Sequence, residues 1–578
     1  MAAYRELHQR FDRHYLLRSS ADLLEWDAQA MMPEGSGDLR AAQLGTLRLL
    51  AHEAIAAPDM AACLAAADAS PPEDPWERAN LVAMRRAWVH AAAVPADLVE
   101  ARTRATSSCE LAWRTARRED DFASLLPQLE EVVNLTRQVG QAKASVMGLS
   151  VYDALADEYE PGVREAARRS TKRWKDGAPC GGLDGIFVTV KDNIPVRGLR
   201  CTWGSRTYTD YVPDRDESPV ALLREAGAGI LGKTNVPEFT LQGYTDNLVF
   251  GATGNPWNPE LTPGGSSGGA VAAVATGIGI AALATDGGGS IRRPCAHTGL
   301  YGLKPSPGFV ARADGLPLLL GDFETMGVIA RSPRDLRAVL AVAARRDPAD
   351  RSSFAFSDEA RTALAAPPGS LRILHVPAFG DFPVDPEIRR SVDGAAALLG
   401  RMGHRVERGD VPFDVDRLNA IWNLIGPAGL AWLVDSRKLD TGLMNPSLLG
   451  MVETGRKASA SAYVQLLADV QAFRNELRLL FERYDVILTP SVAALPWPKA
   501  QSHPGTIDGV PAGPRGHAVF TPFANAGGLP GLNVPTAPSS SGLPIGCQLV
   551  GPFGSDLLLL SLAEDYEREF GPYIWPEI

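Results

Sequence analysis

The stretch PGGSSGGAVAAVATGIGIAALATDGGGSIRRP, Pro263 to Pro294, sets both the fold class and the chemistry of this 578-residue chain. Two glycine-flanked serine clusters bracket a run of small apolar residues that reads as a helix followed by a short strand. Loops this rich in glycine let backbone N–H groups approach a ligand, because no Cβ stands in the way. Gly287, Gly288 and Gly289, together with Ser290, are spaced to offer consecutive N–H donors to an oxyanion developing beside the Ser290 hydroxyl. A flexible linker is a poor alternative, since linkers do not enclose an apolar helix–strand unit.

A serine hydroxyl needs a base before it can attack. Histidine is the usual one, and GGSSG (Gly264 to Gly268) fits the G-x-S-x-G nucleophile turn. That turn is entered from a strand, whereas Asn255 to Pro263 is rich in turn residues. His297, seven residues past Ser290, is equally well explained as structural, and the other histidines offer no obvious partner. Lysine is the other option. GIFVTVKDNIPV (Gly185 to Val196) puts Lys191 at the end of an apolar strand, where desolvation lowers an ammonium pKa and permits a neutral base. A solvated strand cap is the plainer account of such a lysine taken alone.

GAGILGKT (Gly227 to Thr234) matches both a phosphate loop and a dinucleotide fingerprint. Either needs a strand before its glycines and a helix after them. The order here is reversed: SPVALLREA (Ser218 to Ala226) reads as a helix, Gly227 as its C-terminal glycine, and AGILGKT as a buried strand closed off by Pro237. Nucleotide binding is therefore not expected.

Outward from these segments the chain divides. Short β-branched runs such as GIFVTV and YDVILTP alternate with helical patterns from residue 163 to 578, which predicts an α/β domain. Residues 1–162 read as helix after helix. Tyr4, Leu7, Phe11 and Tyr15 recur at helical spacing, Pro33, Gly35 and Gly37 interrupt it, and a second helix fits Leu39 to Ala56. A third is announced by Asp74 as N-cap, Pro75 in the first helical position and Glu77 three residues on, with Leu81, Met84 and Trp88 as its buried stripe. Hydrophobic residues at 45% and charged residues at 22% suit a soluble globular protein of two domains. The net charge of −11 argues against general affinity for nucleic acid or an anionic membrane. Six cysteines without a CxxC pair, and a charged start without a signal peptide's apolar run, predict a cytoplasmic protein with free thiols.

The second domain resembles the amidase signature family of serine hydrolases. The matching motifs are GLDGIFVTVKDNI (Gly182 to Ile194), REAGAGILGKTNVPEF (Arg224 to Phe239), GNPWNPELTPGGSSGG (Gly254 to Gly269), ATDGGGSIRRP (Ala284 to Pro294) and GLYGLKPSPG (Gly299 to Gly308), with an echo from Thr521 to Pro552. The resemblance implies a large mixed β-sheet covered by helices on both faces and a Ser–cis-Ser–Lys triad. Ser290 matches the nucleophile, Ser266 the bridging serine and Lys191 the base, with a cis peptide between Gly265 and Ser266 and an oxyanion hole from Gly287 to Ser290. It implies hydrolysis of a small-molecule amide through an acyl-enzyme, ester cleavage as a side activity, and no metal or cofactor. The substrate stays open among aryl, alkyl, fatty-acyl and peptide amides. LQGYTDNLVFG (Leu241 to Gly251) and Ile421 to Asp440 are candidate walls, with Tyr244, Thr245, Asp246 and Trp422 as candidate substrate contacts. The family's larger residue after TD is Gly287 here, which predicts extra acyl-pocket room, and Cys295 replaces an alanine.

The first domain is similar to the N-terminal helices of the carboxypeptidase Taq family of zinc metallopeptidases. That likeness rests on Leu23 to Leu47, DPWERANLVAMRRAW and VYDALADEYEPG. The family's H-E-x-x-H metal helix is missing: His52-Glu53 is followed by Ala56 where the second histidine belongs. The segment is read as a helical module that packs on the catalytic domain, mediates self-association or overhangs the substrate entrance. Two other functions remain in view: an amidotransferase component drawing ammonia from glutamine, and a non-catalytic scaffold with a decayed peptidase front end.

Overall fold

The computed structural model describes residues 2–30, 36–119, 121–156, 161–313, 315, 317, 319–362 and 369–576. Pro33, Gly35 and the Asp157–Glu160 part of VYDALADEYEPG lie outside them. Two compact units are present, Met1–Glu165 and Ala166–Ile578.

In the first unit the described residues form helices and no strand. The second helix runs Gly37–Ala56, two residues longer at its start than the pattern indicates. Asp74 caps the helix Pro75–Ala92 by accepting from the N–H groups of Trp76 and Glu77. Tyr4, Leu7, Ile55, Met60, Leu64, Ala67, Leu81 and Met84 make one small core, with Phe11 and Trp88 packed at its margin. Tyr15 departs from the predicted stripe. It is 70% exposed although it shares the face of Tyr4 and Phe11, so the small core covers only the first three turns of the helix Ala2–Ala30.

The second unit is built on ten strands in the order β2-β1-β3-β5-β4-β11-β12-β8-β6-β7. They are β1 (Phe187–Lys191), β2 (Gly229–Thr234), β3 (Ala281–Asp286), β4 (Tyr301–Lys304), β5 (Thr325–Ala330), β6 (Arg372–His375), β7 (Arg405–Arg408), β8 (Val486–Pro490), β11 (Gly531–Thr536) and β12 (Ile545–Val550). β9 (Thr506–Ile507) and β10 (Val510–Pro511) form a separate two-stranded ribbon. The sheet is mixed. β1 runs parallel to β2 and β3, β6 runs parallel to β7 and β8, and the strands between them pair antiparallel.

Alternation along β3 shows that both faces are covered. Ala281 and Leu283 enter the main core, while Ala282 and Ala284 enter a second cluster with Ala270, Val271, Val274, Ile291 and Cys295. The second cluster is supplied by the helices Gly268–Ala275 and Arg292–Thr298, so the small-residue run of the opening stretch is a helix pressed on the sheet. Because β1 and β3 are parallel, their carboxyl ends, Lys191 and Asp286, emerge at the same edge, the position where α/β sheets usually place their sites.

GAGILGKT is the helix–glycine–strand unit predicted. The helix Ser218–Glu225 ends before Gly227, whose φ of 86° an L-residue with a side chain adopts poorly, and β2 follows. A Cβ on Gly227 would stand 2.7 Å from Asp184 Cγ. Gly227→Ala should therefore lower the urea midpoint of the second unit by an amount equal to about 2 kcal/mol. Gly45, inside the helix Gly37–Ala56 with nothing within 4 Å of an added Cβ, gives the opposite sign. Gly45→Ala should stabilise the first unit by about 1 kcal/mol, read by thermal denaturation.

Candidate active site

Lys191 closes β1 with its side chain fully buried. Its Nζ lies 2.8 Å from Ser266 Oγ, 3.0 Å from Thr285 O and 3.0 Å from Thr285 Oγ1. Burial pulls the ammonium from its ordinary value down to about 7, partly opposed by the charges of Glu324 and Asp286 and assisted by Arg312 and Arg293. A hydrogen-bonded line continues from Thr285 Oγ1 to Asn193 Nδ2 at 2.9 Å and on to Glu324 Oε1 at 3.1 Å, where Arg312 pairs with the carboxylate at 3.3 Å.

Ser266 stands in the loop before the helix Gly268–Ala275, and the Gly265–Ser266 peptide bond is cis. Gly265 is required there by close approach: a Cβ would come within 2.7 Å of the Tyr244 carbonyl carbon. Thr245 fastens the same loop, its hydroxyl donating to Gly264 O at 2.9 Å and accepting from the Gly268 N–H at 3.1 Å.

Ser290 begins the turn into the helix Arg292–Thr298 and is 6% exposed. It shares with Ser266 a cavity of about 320 Å³, whose wall also includes Gly287, Gly288, Tyr244 and Trp422. Among the described residues no hydrogen bond joins the two serine hydroxyls; they meet through the cavity. The turn is clamped by Asp286. Its carboxylate accepts from the N–H groups of Gly289 (2.7 Å) and Ile291 (3.0 Å), from Arg292 Nε (3.0 Å) and Nη2 (2.9 Å), and from Asn525 Nδ2 (3.0 Å). Arg292 also reaches Thr521 O and Gln548 Oε1, and Thr521 Oγ1 donates to Gly288 O at 2.8 Å.

Three expectations are corrected by this geometry. Gly289 does not belong with the oxyanion donors, because its N–H is committed to Asp286. The N–H groups of Gly287, Gly288 and Ser290 carry no such bond to Asp286. Thr245 and Asp246 do not line the cavity: Thr245 is occupied with the glycine–serine loop, and the wall formed by this segment ends at Tyr244. Gly287 does not leave the acyl side roomier, since Leu320 fills the space and stands 2.7 Å from where a Cβ would be. Tyr244 and Trp422 do line the cavity, and Ile421 to Asp440 contributes Gly426 and Pro427 as well. His297 is buried with Nε2 3.1 Å from Ala494 O, and burial pushes it down to about 4, in keeping with a structural role. Cys295 is a buried thiol in the second core cluster.

Sequence reasoning missed Arg293, Glu324, Arg515 and His517, which also face the cavity. Arg293 sits inside the opening motif, one helical turn beyond Ser290; Glu324 and Arg515 come from loops and His517 from the short 3-10 helix Gly516–Ala518, with no local signature. In the first unit His52 has no partner histidine on its helix, and the Glu6 and Asp59 carboxylates are both bonded by Arg10, at 2.9 and 2.6 Å. Among the described residues no single helix is long and apolar enough to cross a membrane.

Residues 149–560 match the amidase family, and residues 6–171 match the carboxypeptidase Taq (M32) metallopeptidase family. One component of the glutamyl-tRNA(Gln) amidotransferase of Thermus thermophilus is 33% identical over 464 residues, covering 74% of this chain and 95% of the relative. A solved bacterial aryl acylamidase of the amidase signature family aligns with a TM-score of 0.65 at 27% identity, over 75% of this chain and 93% of that one. A 6-aminohexanoate cyclic dimer hydrolase in complex with substrate aligns with a TM-score of 0.63 at 27% identity, over 72% and 90%. The sheet, its helices and these likenesses agree, and the chain belongs to the amidase family, with a carboxypeptidase Taq-like helical segment ahead of its amidase-signature fold.

Proposed function

We propose that the protein is an amide hydrolase in which Ser290 is the nucleophile, Ser266 the proton relay and Lys191 the base. The observation that carries this reading is the 2.8 Å contact between a wholly buried lysine amine and the hydroxyl of Ser266, beside the cavity that Ser290 faces. A neutral amine has two hydrogens and one lone pair. Thr285 O and Oγ1 take the two hydrogens, which leaves the lone pair turned to the Ser266 O–H. Ser266 passes its proton to Lys191 as it accepts one from Ser290, whose oxygen attacks the amide carbon. The N–H groups of Gly287, Gly288 and Ser290 receive the oxyanion. The relay then returns a proton to the leaving amine, and water releases the acid from Ser290. The missing bond between the two serines is compatible with this, since catalytic hydrogen bonds tighten when substrate fills the cavity. Residues 1–162 are read as a separate helical domain that takes no part in the bond cleavage, and 163–578 as the catalytic one.

A second reading, a component of an amidotransferase, is supported by the likeness to the glutamyl-tRNA(Gln) amidotransferase relatives. The chain's acidic balance therefore does not extend to excluding a nucleic acid partner. Release of ammonia from glutamine, together with co-purifying proteins from the native cell, would favour this reading over a free-standing hydrolase.

Ser290→Ala should reduce kcat toward anilides and short amides by at least about 1,000-fold with an unchanged far-ultraviolet circular dichroism spectrum. Lys191→Ala should come close to the same loss; full activity in either variant removes that residue's role. The base works only when neutral, so activity is lost as pH falls through about 7 and is retained above it. A pH–rate profile of kcat/KM should rise about tenfold per unit below that point and level off above. A profile flat from pH 5 to 8 would exclude a lysine base. Esters of the same acids are expected to be cleaved as side substrates.

A further inference from the structure

The cavity is unevenly charged. Glu324 is the one acid among its described lining residues, and it is already held by Asn193 and Arg312. Arg293, Arg515 and His517 line it as well. Arg293 is 7% exposed, and the one hydrogen bond of its side chain to a described residue is a long one, Nε to Gly289 O at 3.4 Å. Neither of its terminal nitrogens donates to any described residue. His517 is 2% exposed, with both ring nitrogens unpartnered, and Trp422 Nε1 is buried and unpartnered too. A Cβ on Gly243 would collide with His517 Nε2 and stand 3.4 Å from Arg293 Nη1, so both nitrogens flank one bare stretch of backbone. Arg515, at the exposed rim, lies 5.2 Å over the Trp422 ring and has no acid partner among the described residues.

A buried guanidinium with idle donors is costly unless something completes its hydrogen bonds. Burial lowers Arg293 only to about 10, so its charge persists at neutral pH. Its planar fork matches the two oxygens of a carboxylate, with a neutral imidazole and an indole N–H within the same enclosure to add donors. The location is fixed relative to the chemistry, since Arg293 follows Ser290 by three residues, in the first turn of the short helix that Ser290 leads into.

Resting on the hydrolase reading above, we propose that the cavity selects amides bearing a free carboxylate, which Arg293 grips beside His517 while the scissile carbonyl faces Ser290. Arg515 supplies a positive field at the mouth and draws such anions inward. Arg293 and His517 are on this account specificity-determining residues and not members of the proton relay.

Binding separates this proposal from turnover. Isothermal titration of the full-length Ser290→Ala protein compares succinamate with butyramide and glutaramate with pentanamide, pairs alike in length but not in charge. The anionic amide should bind about 30-fold more tightly in at least one pair, the effect of one charge-assisted paired contact. Adding Arg293→Met should abolish the preference, and Arg293→Lys should retain part of it. Equal binding within both pairs, no binding of either anionic amide, or a preference that survives Arg293→Met would overturn the proposal. Hydrolysis of butyramide by the protein with Ser290 intact reports separately on the hydrolase reading. Turnover without charge preference would leave that reading standing and remove only this one.

Discussion

The site depends on the buried pair of Asp286 and Arg292. Both side chains are fully excluded from solvent. Burial alone would push the Asp286 carboxyl up, but the charge and hydrogen bonds of Arg292 and the amide of Asn525 outweigh it and hold the group well below the usual carboxylate range. Desolvating the pair is unfavourable and is offset only because nearly every donor finds an acceptor. What it achieves is positional. The carboxylate gathers the N–H groups of Gly289 and Ile291, on either side of Ser290, while the guanidinium ties the same turn to Thr521, Asn525 and Gln548. A seryl oxygen that follows three glycines would otherwise have no fixed direction.

Two fully buried lysines of the second unit, Lys191 and Lys304, show why a depressed pKa does not by itself mark a base. Lys304, at the end of β4, is also brought down to about 7 by burial. Its ammonium donates to Pro305 O and Leu529 O, joining a strand end to a distant loop, and it does not line the cavity. Lys191 differs in its third neighbour, a hydroxyl that borders the cavity. Geometry separates the structural lysine from the proposed base, and electrostatics alone would have confused them.

Much of this is legible in the chain. An apolar run ending in lysine places Lys191 at a strand terminus because a β-branched segment buries both faces and releases its first polar residue at the sheet edge. The glycine–serine clusters and the reversed order around Gly227 are equally local, since φ preference and helix capping act over a few residues. What stays hidden is whatever tertiary contact decides. Nothing near Thr245 announces that its hydroxyl will fasten Gly264 and Gly268, and nothing near Gly289 announces a carboxylate three residues earlier turning back on it. Arg515 and His517 reach the cavity from a segment more than two hundred residues beyond Ser290, where composition carries no trace of the destination.

Gly287 and Leu320 share a single volume: the atoms that position 287 lacks are those that Leu320 Cδ1 supplies. Neither residue can change size alone without a clash or a void, as close-packed interiors resist both. Divergence of this pocket must then proceed in coupled steps, a bulkier residue at 287 arriving with a trimmed one at 320. Each intermediate would be handicapped on its own, which ties the inherited shape of the pocket to two codons rather than one.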